Sequence, residues 1–311
     1  MLSKTMLVFA AASSAVFFPA TAAAKIERTV EKTFQVQSGA KLSVRTTGGK
    51  VRVEPGDVQS VRIVARQIFP KANTDADADA IAKSLDLVME QSGNSVSASA
   101  KYVRSAWGRA SGYVEFDVTV PRSCDATLTT SGGDVIVGDI AGAVHARTSG
   151  GDVKLGRIGG PVDARTSGGD VTLAGCAQNA ALVTSGGNVE AGPAAGDLQI
   201  TTSGGNIRIN GVGGAVNART SGGTINANLA QISNECVLIT SGGEVSVQFD
   251  KSSTLLLDAV TNGGRVWAGD NVRIDTLAGG HGKNRLSGKV NGGGPLVKLR
   301  ASGGNIDVRA R

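Results

Sequence analysis

Aromatic side chains are scarce in this 311-residue sequence, with two tryptophans, two tyrosines and seven phenylalanines making up 4% of the chain. So few rings cannot fill a thick core. Nor can they build a base-stacking surface, and no run of five basic residues appears, so nucleic acid is excluded as a partner class. Two histidines and three cysteines leave little material for a metal centre, and an odd cysteine count excludes a fully paired disulfide framework. The formal net charge of +6 permits attraction to anionic polymers without requiring it. After residue 24 no stretch approaches twenty apolar residues, so no membrane-spanning helix is expected there.

The first 24 residues read as a secretory signal peptide. They contain one lysine (Lys4), an apolar run from Met6 to Phe18, and small residues at Ala20, Ala22 and Ala24. The expected location is therefore periplasmic or extracellular, with no membrane span in the mature chain.

What is abundant is glycine, 44 residues, and it falls on a beat. TSGGDV starts at 130, 148 and 166, TSGGNV at 184, TSGGNI at 202 and TSGGTI at 220, each 18 residues after the last. Looser copies follow at 240 (TSGGEV), 261 (TNGGRV) and 301 (ASGGNI), and an outlier, TTGGKV, stands at 46. A fixed period of this length is the signature of a solenoid.

The unit halves into nonapeptides, as "DVKLGRIGG" laid on "PVDARTSGG" shows. Counting by nine from Val135 gives valine, leucine or isoleucine at every step to Ile225 except at Ala180. The column two residues later starts at Val137 and mixes leucine and isoleucine with alanine down to Ala227. Apolar residues two apart are strand periodicity with one face buried, and the paired small residues allow the chain to reverse. The expected fold is all-β, a parallel β-solenoid (single-stranded β-helix) with two-stranded coils of about 18 residues, stacked about 4.8 Å apart around a thin core. A hexapeptide left-handed helix is excluded because Gly159 and Arg165 fall where it needs apolar residues. The calcium β-roll is excluded because "GGDVKLGRI" has valine and leucine where that motif needs glycine and aspartate. The column Asp134, Asp152, Asp170 continues as Asn188, Asn206 and Thr224, so it reads as corner formers and no metal is assigned to it.

Two cysteines are legible as core residues. Cys176 takes the position of Ile140, Ile158 and Val212, and Cys236 that of Val144, Val162 and Val216.

Residues 25–123 do not keep the beat and are expected to form an N-terminal capping segment, with residues 124–311 as the repeat solenoid. Within the cap, "DADADAIAKSLDLVM" places Ile81, Leu85 and Val88 at helical spacing after an acidic first turn, which predicts one short helix covering the open end of the stack.

Three stretches, "EKTFQVQSGAKLSVRTTGGKVRV", the TSGG repeats, and "LSGKVNGGGPLVKLRASGGNIDV", make the chain resemble a bacterial secreted adhesin-like family with a β-strand-repeat domain of unknown function. The resemblance spans nearly all of residues 30–309. It implies an envelope-associated β-solenoid, and it brings no catalytic motif.

Candidate site residues lie on the outward positions. His145 and Asp163 stand one coil apart in one column and are expected to touch. Arg147, Arg165 and Arg219 each precede TSGG, as does Arg45 in the early copy, and they could receive phosphate or uronic-acid groups or else pair with Asp163 and the corner aspartates. His281 is expected in a loop. The outward column Ile136, Lys154, Thr172, Glu190, Arg208, Asn226 is a mixed solvated face with no convergent carboxylates, so no catalytic residue and no cofactor is assigned. The expected function is a non-catalytic secreted or periplasmic solenoid presenting a serine- and threonine-lined surface to an envelope polysaccharide or protein. The alternative is a carbohydrate-active β-helix enzyme, a polysaccharide lyase or hydrolase.

Overall fold

The computed structural model describes residues 26–102, 112–229 and 232–311, without the side chains of 102 and 276–281. The signal-peptide assignment to residues 1–24 lies outside the described residues. Among those described, two sheets of 13 and 14 strands, here A and B, face each other across a single hydrophobic core running from Val36 to Ala310.

Each 18-residue unit contributes one short strand to each sheet. Val153–Ile158 in sheet A pairs in parallel with Val171–Cys176, and Val162–Arg165 in sheet B pairs in parallel with Ala180–Val183. The register places Val153 beside Val171 and Val162 beside Ala180, so the inward columns fall where the nonapeptide count puts them. All of them are buried from Val135 to Ala227. The larger inward residue changes sheets along the stack. Leu155 and Leu173 belong to sheet A while Ala146 and Ala164 belong to sheet B, and further along Ala191 lies in sheet A while Leu182 and Ile200 lie in sheet B. A core only one side chain deep on each face keeps its volume constant in this way.

The corner explains the spelling of the repeat. The threonine of TSGG is buried, and its hydroxyl donates to a glycine carbonyl of the preceding coil, as in Thr166 to Gly151 O (2.8 Å) and Thr202 to Gly187 O (2.9 Å). The same oxygen accepts from the second glycine of its own corner, as from Gly169 N at 3.3 Å. Each such bond contributes about 0.5–1.5 kcal/mol net. The expected surface of serines and threonines is therefore half correct: Ser149, Ser167, Ser185 and Ser203 are exposed, but the threonines point inward to satisfy corner carbonyls.

After the corner comes a second ladder. Asp134 Oδ1 accepts from Asp152 N, and Asp152 Oδ1 from Asp170 N, both at 3.0 Å. Asn188 and Asn206 continue the pattern up to Thr224 N. The hydrogen bond from Asp170 N, joined by Lys154, holds the Asp152 carboxyl below its ordinary range.

Both ends depart from sequence order. Lys41–Thr46 and Val51–Gly56, which contain the TTGGKV copy, form a coil lying between Ser95–Tyr102/Tyr113–Pro121 on one side and Asp125–Thr129/Val135–Val137 on the other. At the opposite end the last segment, Leu296–Ala301 and Ile306–Ala310, slots between Cys236–Thr240/Val245–Phe249 and Leu255–Thr261/Val266–Ala268. Antiparallel strands finish the stack, among them Ser60–Phe69 and Ile26–Gln35 in sheet A and Leu85–Ser92 in sheet B.

The predicted helix is present over Asp75–Ala82, opened by a capping box between Thr74 and Asp77. It is shorter than the apolar spacing suggests, and it sits against Ile26 and Phe69 of the strands that finish sheet A. Leu85 and Val88 belong to the strand Leu85–Ser92, where Leu85, Leu87 and Met89 alternate onto the main core and Val88 turns out to solvent. The helix packs instead in a small separate cluster with Phe69 and Ala72. A period of two, overlooked beside a spacing of three or four, accounts for the error.

Cys124, Cys176 and Cys236 are all unpaired and buried. Ile158 pairs with Cys176 and Val216 with Cys236, as the repeat count requires. Burial pushes the Cys124 thiol up to about 12 and the Cys236 thiol up to about 11, and it raises Cys176 as well. Native protein at pH 8 is therefore expected to leave a thiol-reactive dye unconsumed, with all three thiols reacting once denaturant is added. Rapid labelling of any of them in the folded state would contradict the placement.

Candidate functional site

Alternation along the sheet B strands leaves two outward positions per coil. The first column contains Thr127, His145, Asp163, Ala181, Gln199, Asn217, Val237 and Lys298. The second contains Arg45, Thr129, Arg147, Arg165, Val183, Thr201, Arg219, Ile239 and Arg300. The structure therefore gathers Arg147, Arg165, Arg219, His145 and Asp163 on one face. It adds Lys298 and Arg300 from the inserted terminal segment; Arg300 precedes the ASGG copy at 301 as the other arginines precede TSGG, so the repeat itself carried a signal for it.

Contacts within that face differ from one expectation. His145 and Asp163 are register partners, yet among the described residues no hydrogen bond joins them. The Asp163 carboxylate is engaged by two arginines instead, Arg165 Nε at 2.7 Å and Arg147 Nη2 at 3.2 Å. Partial burial raises the Asp163 pKa, but the hydrogen bonds and charges of Arg165 and Arg147 outweigh it and hold the carboxyl below its usual range. Arg165 reaches the carboxylate along its own strand and Arg147 diagonally from the neighbouring one, and guanidinium groups suit carboxylates as hydrogen-bond donors. Arg219 donates from Nε to Asn217 Oδ1 at 3.0 Å, and Arg300 is anchored by Asp258. Of the corner aspartates, Asp152 pairs with Lys154 rather than with an arginine of this face.

A depressed carboxylate contributes stability above its unfolded pKa of about 3.9, and that contribution is lost as the pH falls through the lower folded value. Asp163→Asn should therefore narrow the difference in urea midpoint between pH 6 and pH 3. An unchanged difference would mean that the arginine pair adds nothing to stability.

Beside the first column runs an open groove of about 590 Å³ that spans six sheet B strands from His145 to Val237. Its floor is shallow at Ala181, and its corner-side wall carries Asn179, Asp197 and Glu235. The wall is held by its own ladder, with Asn179 Oδ1 accepting from Asp197 N and Asp197 Oδ1 from Ala215 N, both at 2.9 Å. Among the described residues no three His, Cys, Asp or Glu side chains gather to hold a metal ion. His281 lies by its backbone in the strand Ile274–Gly282 rather than in a loop, with its side chain outside the described atoms.

Comparison with known families matches residues 166–309 to the model described as Toastrack DUF4097. Residues 166–309 are thus similar to the Toastrack family, over somewhat less than half of the chain. The strands of the matched region include those that build the groove from Ala180 onward. Among solved structures, a putative adhesin from Bacteroides fragilis is 14% identical, aligns over 91% of this chain and 97% of its own, and has a TM-score of 0.38. A putative adhesin from Parabacteroides merdae is 10% identical over 90% of this chain and 96% of its own, with a TM-score of 0.40. No curated protein matches the chain. Among the described residues no helix is long and apolar enough to cross a membrane.

Proposed function

We propose that this protein is a non-catalytic, secreted or periplasmic binding module that holds an envelope or extracellular partner on the outer face of sheet B. The observation that carries the reading is the continuity of that face. Parallel register keeps each outward side chain beside its counterpart one coil away, from Arg45 to Arg300, so the surface is a rigid lattice rather than a convergent pocket. Hydrolysis or elimination on a sugar chain needs a free acid or base aimed at one bond. Asp163, the carboxylate registered beside His145, has both oxygens on arginine nitrogens, which disfavours the enzyme alternative.

Co-sedimentation of the exported chain with separated peptidoglycan, outer-membrane and polysaccharide fractions tests the proposal. Saturable pelleting with one fraction is expected to survive high salt and to be lost in an Arg147→Gln/Arg165→Gln double variant. A Lys154→Gln/Arg208→Gln variant, altered on sheet A, should pellet like the parent. Binding that vanishes with salt alone would indicate simple basic adsorption and overturn the proposal.

A further inference from the structure

At the C-terminal end of sheet B, five adjacent strands carry Arg219, Ile239, Arg300, Val260 and Arg285 in one register row. The five come from separate parts of the chain. They become neighbours because Leu296–Ala301 is inserted between Cys236–Thr240 and Leu255–Thr261, and Arg285–Val290 closes back against the latter. All five side chains belong to the outer face, since Ala218, Leu238, Leu299, Ala259 and Leu286 beside them are the buried ones. Steps of about 4.8 Å between strands set the arginines about 10 Å apart, with one aliphatic side chain in each gap.

Little of the charge on this row is compensated. Asp258 takes Arg300, whose Nη1 also donates to the Asp258 and Leu299 carbonyls at 2.7 and 2.9 Å, so this guanidinium is drawn down onto the sheet. Arg219 donates from Nε to Asn217, and among the described residues Arg219, Arg285 and the neighbouring Lys298 enter no ion pair. The other carboxylates stand off the row. Asp275 is registered with Lys289, and Glu235 lies at the far end of the Ile239 strand, beside the groove.

Ile239 and Val260 are half-exposed between these cations. Unpaired guanidinium groups and aliphatic side chains, alternating over a flat sheet, suit a partner that offers anions and an apolar layer together across an area. A free phosphate or a soluble polyanion would answer the arginines and leave the aliphatic side chains in water. The boundary between headgroups and acyl chains in an anionic bilayer supplies both.

We infer that this row is a docking surface for an anionic phospholipid bilayer, with Arg219 and Arg285 on the headgroup phosphates and Ile239 and Val260 against the acyl boundary. It is a second contact on sheet B, and it does not depend on the partner proposed for Arg147 and Arg165, which lie several coils away.

The test is sedimentation of the exported chain with vesicles of phosphatidylcholine alone or with about one-third phosphatidylglycerol, at physiological salt. The vesicles with phosphatidylglycerol should bind at least about tenfold more tightly. Arg219→Gln/Arg285→Gln should lose at least about tenfold and Ile239→Thr/Val260→Thr at least about threefold, each with unchanged melting. Arg147→Gln/Arg165→Gln should stay within about twofold of the parent. Equal binding to both kinds of vesicle, parental binding by either variant of the row, or an equal loss in Arg147→Gln/Arg165→Gln would overturn the inference. So would glycerol 3-phosphate or poly-L-glutamate bound as tightly as the vesicles, since the surface would then answer to soluble anions. These vesicles contain no polysaccharide or protein, so failure here leaves the envelope reading to its own co-sedimentation test.

Discussion

Gly205→Ala is expected to destabilise the protein by about 3 kcal/mol or more, whereas Gly204→Ala, one residue earlier in the same corner, should cost less than about 1 kcal/mol. Neither glycine has a left-handed backbone, so the contrast is one of space. A Cβ on Gly205 would stand 1.9 Å from Gly187 O and 2.3 Å from its carbonyl carbon, while one on Gly204 would stand 3.3 Å from Gly186 O. The obstructing carbonyl cannot swing away without a further loss, because it accepts the hydroxyl of Thr202. The same approach recurs at Gly169, Gly187 and Gly223, where the distances are 2.1, 2.0 and 2.0 Å. Equilibrium urea unfolding of the two variants settles the matter, and similar midpoints would show that the corners are looser than the stacking implies.

Deletion of residues 296–311 should remove more stability than any single core substitution, and it should do so at one end of the molecule. The segment is the last in the chain but not the last in the stack. It lies between the coil Cys236–Thr240/Val245–Phe249 and the coil Leu255–Thr261/Val266–Ala268, so its loss interrupts both sheets. Val297, Leu299, Ile306 and Val308, all fully buried, leave with it. At about 1.5–3 kcal/mol for each such side chain, the loss is about 6 kcal/mol or more, comparable to the whole stability of an ordinary domain. Hydrogen exchange should show protection lost across residues 255–290, with the coils between Val135 and Ile209 still protected. Retained protection in 255–290 would mean that the terminal coil stands without its inserted neighbour.

Much of the fold was legible because a solenoid writes its geometry locally. Val153 and Leu155 alternate with Lys154, the pattern returns nine and eighteen residues later, and the hydrophobic effect admits one arrangement that buries every copy. The cysteine positions followed from the same count. The inward turn of the TSGG threonine was also written there, since Val144, Ala146 and Thr148 share one parity along the strand, but threonine was read as polar rather than by its place. The helix overreach at Leu85 and Val88 has a similar origin, since a short apolar run satisfies both periods until a partner strand selects one.

The candidate site was legible in its columns and not in its contacts. Spacing alone puts His145 beside Asp163 and Arg147 beside Arg165. Which partner Asp163 takes depends on side-chain reach and on the energy of charged hydrogen bonds, and these placed both arginines on it. Arg300 was within reach of the count, since it precedes the ASGG copy at 301, and Asn179 and Asp197 stand one period apart; what the count does not give is which coil Arg300 joins, because its strand is inserted out of order.

By itself the sequence determined the coil, its two inward columns, its outward columns and the identity of the corner residues, since all of these follow from neighbours within about nine residues and from which side chains water rejects. Only the tertiary structure decided the order of the coils at the two ends and the existence of the groove. Every TSGG-type coil offers nearly the same edge to the next, so local chemistry does not say which copy stacks on which. That choice belongs to the ends as wholes, where antiparallel strands, the inserted segments and one continuous core have to close together.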